Sequence, residues 1–397
     1  MKVLVLNSGS SSIKYQLLGM ENENCIAKGI VDKIGFDQSN ICYENQSGYK
    51  NKYTAEVKDH LTGIKVILDI LMDKANGVIK SVEDIAGVGH RMAHGARYFT
   101  DSVLVTEDVK EKILKTCEIA PLHNPPQYKG IQAIEQVMPG IPNVVCFDTE
   151  FHKGIPDHVA TYGLPYEWLE KYNIRKYGFH GLSYKYVTRR VGEIFNIDWK
   201  QLKIITCHLG NGASVAAVKN GETVDTTMGF TPLQGLIMGT RCGDIDPAIV
   251  PFIMKKEGYD VDEITNILNK KSGVLGVSGL SSDFRDLEEA ANKGDERARL
   301  ALEMFIYRVK FYIGAYNAVL NGIDVLIFTG GIGENSTMMR QAICKNLEDL
   351  GIVIDLEKND FKGKERIISP LNNKVKVVVI PTNEELMIAR DVKRIIS

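Results

Sequence analysis

No two cysteines in this chain are spaced Cys-x-x-Cys, and the seven that occur, at positions 25, 42, 117, 146, 207, 242 and 344, are odd in number and scattered. Such usage argues against a zinc cluster and fits a reducing cytoplasm, the compartment expected here. No apolar run approaches the length of a membrane span, so no membrane association is expected. Met1–Leu6 is too short for the apolar core of a signal peptide and reads as a strand. Charge of one sign is also lacking: 48 basic residues face 50 acidic ones, for a net charge of −2 without a basic tail or stripe. That balance speaks against a nucleic-acid partner. Four common signatures are missing as well: the Gly-x-x-x-x-Gly-Lys-Ser/Thr phosphate loop, Gly-x-Gly-x-x-Gly, Gly-x-Ser-x-Gly and His-Glu-x-x-His. Their absence removes the usual nucleotide-binding and hydrolase folds.

What is present is the composition of a globular protein, 44% hydrophobic and 25% charged over 397 residues. A chain of this length predicts about two to three domains. One design occurs twice. Ile204–Val218 is an apolar run broken by His208-Leu-Gly-Asn-Gly212, and Val3–Leu18 is a similar run broken by Asn7-Ser-Gly-Ser-Ser11. Both read as strand, tight glycine turn, strand, and such turns leave backbone N–H groups open to phosphate. Alternation in the returning strand puts Ser10, Ser12 and Lys14 on one face, a row of hydroxyls with a cation.

Further along, Cys25–Val31 reads as a third strand and residues 37–52 as a polar, Asn-rich connection. Asp59–Leu71 has helical periodicity, Ile85–Arg91 is a buried strand, and Glu107–Glu118 is a helix. The prolines of Ala120–Pro126 predict an extended turn before a helix over Tyr128–Val137. Asn143–Asp148 is a strand with a carboxylate at its tip, where open α/β sheets place ligands, and a domain boundary is expected near residue 150. Ser183 is a candidate cap for the helix after His180, Gly273–Asp283 reads as a Gly/Ser loop, and a single long helix is expected from about Asp286 to Val319. Asp324–Thr329 is a buried strand entering Gly330-Gly-Ile-Gly-Glu-Asn335, and Lys374–Ile380 is the last strand. The helix after Pro381 carries the C-terminus back to the first half, giving domains of 1–150 plus 386–397 and of 151–385.

His90 and His94 have a metal-like spacing but fall at a strand end, which argues against a metal pair. Arg91 and Arg241 lie at or beside strand ends among small residues. An arginine so placed either grips a carboxylate or phosphoryl group through two parallel hydrogen bonds or forms a structural ion pair.

Ten motifs in order, Asn7–Lys14, Gly89–Arg91, Leu122–Pro125, Phe147–Thr149, Gly178–Gly181, His208–Gly212, Arg241–Pro247, Gly279–Asp283, Gly330–Asn335 and Pro381–Glu385, resemble the acetate kinase family over the whole chain. The resemblance implies an α/β fold of two duplicated actin/Hsp70/sugar-kinase-like (ribonuclease H-like) domains flanking a catalytic cleft, in a homodimer. It implies Mg2+-dependent, direct in-line transfer of the ATP γ-phosphoryl group to acetate, giving acetyl phosphate and ADP, with Mn2+ as an accepted substitute. On that likeness Arg91, Asp148, His180, Arg241 and His123 are catalytic, and Asn7 and Glu384 serve the metal directly or through water. Ser10, Ser12, Lys14, His208, Leu209, Gly210, Asn211, Gly212, Asp283, Phe284, Arg285, Gly331, Ile332, Gly333, Glu334 and Asn335 would line ATP. Arg91, Ala93, Leu122, Phe179 and Pro232 would hold the acyl group.

The chain departs from the family pattern at Ala93, usually a larger aliphatic, at Ala96, usually glycine, at Arg97, usually acidic, and at Glu150, usually small. The small Ala93 opens the question of acyl length. Propionate kinase is the alternative reading, and a non-catalytic ATP-binding protein of the actin/Hsp70 type a remote one.

Overall fold

A computed structural model describes Met1–Ser397. The chain divides into two units, Met1–Phe151 with Asn383–Ser397, and His152–Thr382. In the first, β1 (Lys2–Ser8), β2 (Ser12–Gly19), β3 (Asn24–Asp32), β4 (Ser39–Asn45), β5 (Lys50–Ala55), β6 (Ile85–Met92), β7 (Val103–Leu104) and β8 (Asn143–Phe147) form one sheet in the order β5-β4-β3-β2-β1-β6-β8-β7. In the second, β9 (Ile204–Leu209), β10 (Ala213–Lys219), β11 (Glu222–Thr226), β12 (Val325–Thr329), β13 (Arg366–Ile367) and β14 (Lys376–Val379) are ordered β11-β10-β9-β12-β14-β13.

Both sheets contain one pattern. In β3-β2-β1-β6-β8 and in β11-β10-β9-β12-β14 the first two pairings are antiparallel and the next two parallel. Each then ends in a short antiparallel edge strand. The fold is α/β, and its topology is duplicated. All five residues of β12 are buried, the unbroken apolar run of a central parallel strand covered on both faces. In each unit the carboxyl ends of the parallel strands carry candidate residues: Asn7, Arg91 and Asp148 in the first, His208 and Gly330 in the second.

Several local expectations are corrected. Residues 37–52 are not a connection but hold β4 and the start of β5. Ser39, Ile41, Tyr43 and Asn45 of β4 alternate inward, a period masked by its asparagines. The prolines after His123 do not delay the next helix, which spans Asn124–Val137 with Pro125 and Pro126 in its first turn, where the missing N–H groups would have had no intrahelical partner. Ser183 does not cap the helix Gly181–Phe195: His180 holds the N-cap position and Ser183 lies inside the helix. Gly273–Ser278 is a short helix within the expected loop. The long helix is two, Phe284–Asn292 and Glu296–Leu320. Gly294 at φ +95° turns the chain between them and the Asp295 side chain caps the second.

Ala96, where the family usually has glycine, sits at φ +49°. An alanine there costs about 1–2 kcal/mol of backbone strain, and glycine gives back part of that gain through the unfolded chain. Ala96→Gly is therefore expected to stabilise the protein by about 0.5–1 kcal/mol in urea denaturation. No helix is long and apolar enough to cross a membrane.

Candidate active site

In the first unit the site is built on Arg91. Register pairs Leu6 with His90, so Asn7 stands at the end of β1 beside Arg91 on β6, and β8 delivers Asp148 next to it. The guanidinium meets Asp148 in a fork, Nε to Oδ1 at 3.2 Å and Nη2 to Oδ2 in a short contact, while Glu384 Oε2 lies 3.6 Å from Nε. Burial alone would lower the Arg91 pKa, but Asp148 and Glu384 override it and hold the guanidinium above its ordinary value. Burial pushes the Asp148 carboxyl up against the opposing pull of Arg91. Glu384 is raised to about 7, by burial first and by Asp148 and Glu385 next, again with Arg91 opposing. Two carboxylates thus share one cation, a surplus of negative charge that a hard divalent ion beside the Asn7 amide would offset. The residues present fit Mg2+.

Glu384 therefore carries a stability signature. Its folded-state value near 7 lies above the ordinary 4.5, so the folded protein holds a proton that the unfolded chain has released. Folding is penalised progressively as pH rises from about 4.5 to about 7, by up to about 3 kcal/mol above that window. Glu384→Gln in EDTA is expected to melt higher than the wild type at about pH 8, with the difference closing toward pH 4.5. Parallel melting curves at all pH values would refute this.

The other first-unit candidates are placed less tightly. Ala93 is buried and its N–H donates to Gln127 Oε1 at 2.8 Å, whereas Leu122 is 67% exposed. His123 occupies the N-terminal end of the helix Asn124–Val137 without capping it. Ser10 and Lys14 are exposed and Ser12 half-buried along the first hairpin. A second carboxylate group, Asp101, Glu150 and Asp391, has oxygens within 4.8 Å of one another. Ser102 Oγ and Arg394 already serve it, and Glu150 also accepts from the Phe147 N–H at 3.0 Å, which gives the unusual glutamate a structural role.

In the second unit the glycine turn after β9 is the centre. A side chain begun at Gly212 would lie 3.4 Å from Arg241 Nη1 and 3.5 Å from His180 Nε2, so both donors face that open position. Arg241 donates to Pro232 O at 3.3 Å, has no carboxylate partner, and is held below its ordinary pKa by burial. A largely buried guanidinium without a counter-ion is costly unless an anion arrives. His180, at φ +59°, stacks on His208 with centroids 4.1 Å apart, and Phe179 is buried just before it.

Beyond that turn, Gly210, Asn211, Asp283, Phe284, Arg285, Gly331, Ile332 and Asn335 line a cavity of about 650 Å³. Gly330, at φ +76°, can only be glycine, since a side chain would meet Leu209 O at 2.8 Å. His208, Leu209, Gly212, Gly333 and Glu334 do not line the cavity. Leu209 is in the core, and Glu334 Oε1 accepts from the N–H groups of Gly330 and Thr382, holding the loop. Ser282, within the Gly279–Asp283 motif, and Ser336, next to Asn335, also line the cavity but were not singled out, and Glu288 and Lys362 line it without any spacing signal in the sequence.

The sequence pattern of the Acetokinase family matches residues 2–390. The chain belongs to the acetokinase family. It is 54% identical to an acetate kinase of Halothermothrix orenii over the whole of both chains. Among solved structures it resembles an acetate kinase of Porphyromonas gingivalis at 47% identity, with a TM-score of 0.96 and complete coverage of both chains. It also resembles a propionate kinase of Francisella tularensis at 41% identity, with a TM-score of 0.92 and 99% coverage of each. In this acetokinase the motif residues therefore fall into two groups by unit: Asn7, Arg91, Asp148 and Glu384 in the first, and His180, Arg241 and the cavity lining in the second.

Proposed function

We propose that this acetokinase is an acetate kinase, transferring the γ-phosphoryl group of ATP to acetate to give acetyl phosphate and ADP. The observation that carries the reading is Arg241, a largely buried guanidinium without a carboxylate partner, facing the same open position as His180 Nε2 next to a cavity of about 650 Å³. Acetate is already ionised at neutral pH, so the nucleophile needs no general base; it needs charge neutralisation and alignment with the phosphorus. Arg241 and Arg91 hold the transferring phosphoryl and the carboxylate, His180 donates to the equatorial oxygens, and Asp148 orients Arg91. His123 supports the phosphoryl site. The cavity takes the nucleotide, with Asp283–Arg285 and Gly331–Asn335 along its wall. Asn7 and Glu384 would hold Mg2+, which would supply neutralisation of phosphate charge. Acetate is preferred to propionate because the relatives and structures with higher identity are acetate kinases. The exposed Leu300, Met304, Tyr307 and Phe311 on one stripe of the helix Glu296–Leu320 support a homodimer, and light scattering is expected to give twice the chain mass. The seven free cysteines fit a cytoplasmic enzyme.

Trapping the acyl phosphate with hydroxylamine tests the reaction. Acetate, ATP and Mg2+ are expected to give acetyl hydroxamate, with a higher kcat/KM than propionate. No product from either acid would sink the reading, and a higher kcat/KM for propionate would reverse the substrate.

A further inference from the structure

The outer edge of the first-unit sheet holds a cavity of about 530 Å³ between β4, β5 and the far end of the helix His60–Leu71. Its size is that of a small-molecule site, and none of its residues belongs to the site proposed above. Its origin is the register of the edge pair. Tyr43 of β4 stands opposite Asn51 of β5, and Ile41 opposite Tyr53, so alternate residues of both strands share the face on which the helix lies. The helix packs on β2 and β3, and Ile41 and Tyr43 are buried. Tyr53 on the edge strand and Tyr49 in the turn before it are each left 37% exposed.

The rings are braced. Tyr43 Oη donates to Asn76 O at 2.9 Å, Asn45 Nδ2 donates to the same carbonyl at 3.0 Å, and Asn45 Oδ1 accepts from the Tyr49 N–H at 3.2 Å. Tyr43 and Tyr49 stand with centroids 6.3 Å apart and planes tilted by 58°. A site held in this way loses little freedom when a ligand arrives.

The facing wall is apolar and acidic. Val66 and Ile70 are half-buried there beside Asp69 and Asp73, and no basic residue lines the cavity. Asp73 Oδ2 accepts from the N–H groups of Ala75 and Asn76 at 3.0 and 2.8 Å, which leaves its charge unneutralised. Burial first and Asp69 next raise the Tyr53 phenol, so that carboxylate lies near the ring. The helix ends here without a basic residue in its last turn, and the negative end of its dipole adds to the two carboxylates.

We infer that this cavity binds a linear aliphatic polyamine. Its ammonium groups meet Asp69, Asp73 and the faces of Tyr49 and Tyr53, and its methylenes lie over Val66 and Ile70. Carboxylates and aromatic faces both attract ammonium ions, and the apolar lining favours the carbon chain between them. A divalent metal ion would need oxygen ligands on all sides, where this cavity offers rings and methyl groups. An uncharged apolar ligand would strip water from two carboxylates and give nothing back.

Isothermal titration calorimetry of the full chain with spermidine at low ionic strength tests the inference. Saturable binding is expected, weakening as salt is added. Asp69→Asn and Tyr53→Leu are each expected to weaken it about 3- to 10-fold, the latter because leucine keeps apolar bulk and removes the ring face. Both side chains are exposed, so both variants are expected to melt like the wild type. Should Tyr53→Leu fail to fold, Tyr49→Leu carries the same test. No binding at about 1 mM spermidine overturns the inference. So does an affinity unmoved in either variant, since loss in Asp69→Asn alone would mark a diffuse acidic surface.

Discussion

Arg241→Ala is expected to lose kcat by about 10²-fold or more while the protein keeps or gains stability. The two effects separate because Arg241 is largely buried without a carboxylate partner, so alanine removes an uncompensated charge and breaks no ion pair. Its guanidinium is there for an anion that comes and goes, the usual trade between a working site and a stable one. Arg91→Ala is expected to lose kcat on the same scale but to destabilise the fold as well, by about 3–5 kcal/mol, because the buried Asp148 and the half-buried Glu384 would be left without their cation. Steady-state kinetics and thermal melts on the two variants decide the matter. A near-normal kcat in Arg241→Ala, or a clear fall in its melting temperature, would remove Arg241 from the anion site.

Gly212→Ala is the second large effect. The new methyl would stand 3.4 Å from Arg241 Nη1 and 3.5 Å from His180 Nε2, ordinary contact distances, and Gly212 is absent from the positive-φ glycines. The fold should therefore accept alanine with little change in stability. The methyl would occupy the space that the two donors face, where an oxygen must come within about 3 Å of each to be stabilised. An expected loss of about 10²-fold in kcat follows, with nucleotide affinity nearly unchanged because Gly212 is not part of the cavity lining. Calorimetry with ADP and the hydroxamate assay check both halves. Unchanged activity would show that the reacting group lies elsewhere.

Much of the site was legible because its backbone demands leave marks in sequence. The turns at His208–Gly212 and Gly330–Asn335 need glycine where the chain reverses or strands approach closely, and the strands before them are apolar runs. Arg91 and Asp148 stood out because a charge at the end of a buried strand is conspicuous. The strand β4 was not legible, since its inward positions include Ser39 and Asn45, which hide the alternation. Nor was the break at Gly294, where one glycine and a capping aspartate divide an otherwise continuous helical pattern.

By itself the sequence determined the duplicated hairpins, the glycine turns and the identity of the charged groups, because backbone geometry and strand burial restrict residue type position by position. Only the tertiary structure decided what those groups do to one another. That Arg91 is paired and Arg241 is not, that burial raises the Glu384 carboxyl, and that Tyr184 and Ser214 stand behind His180 all depend on partners distant in the chain. Charge pairing, burial and hydrogen-bond direction act through space over a few ångströms, and sequence spacing records such distances only within a single helix, strand or turn.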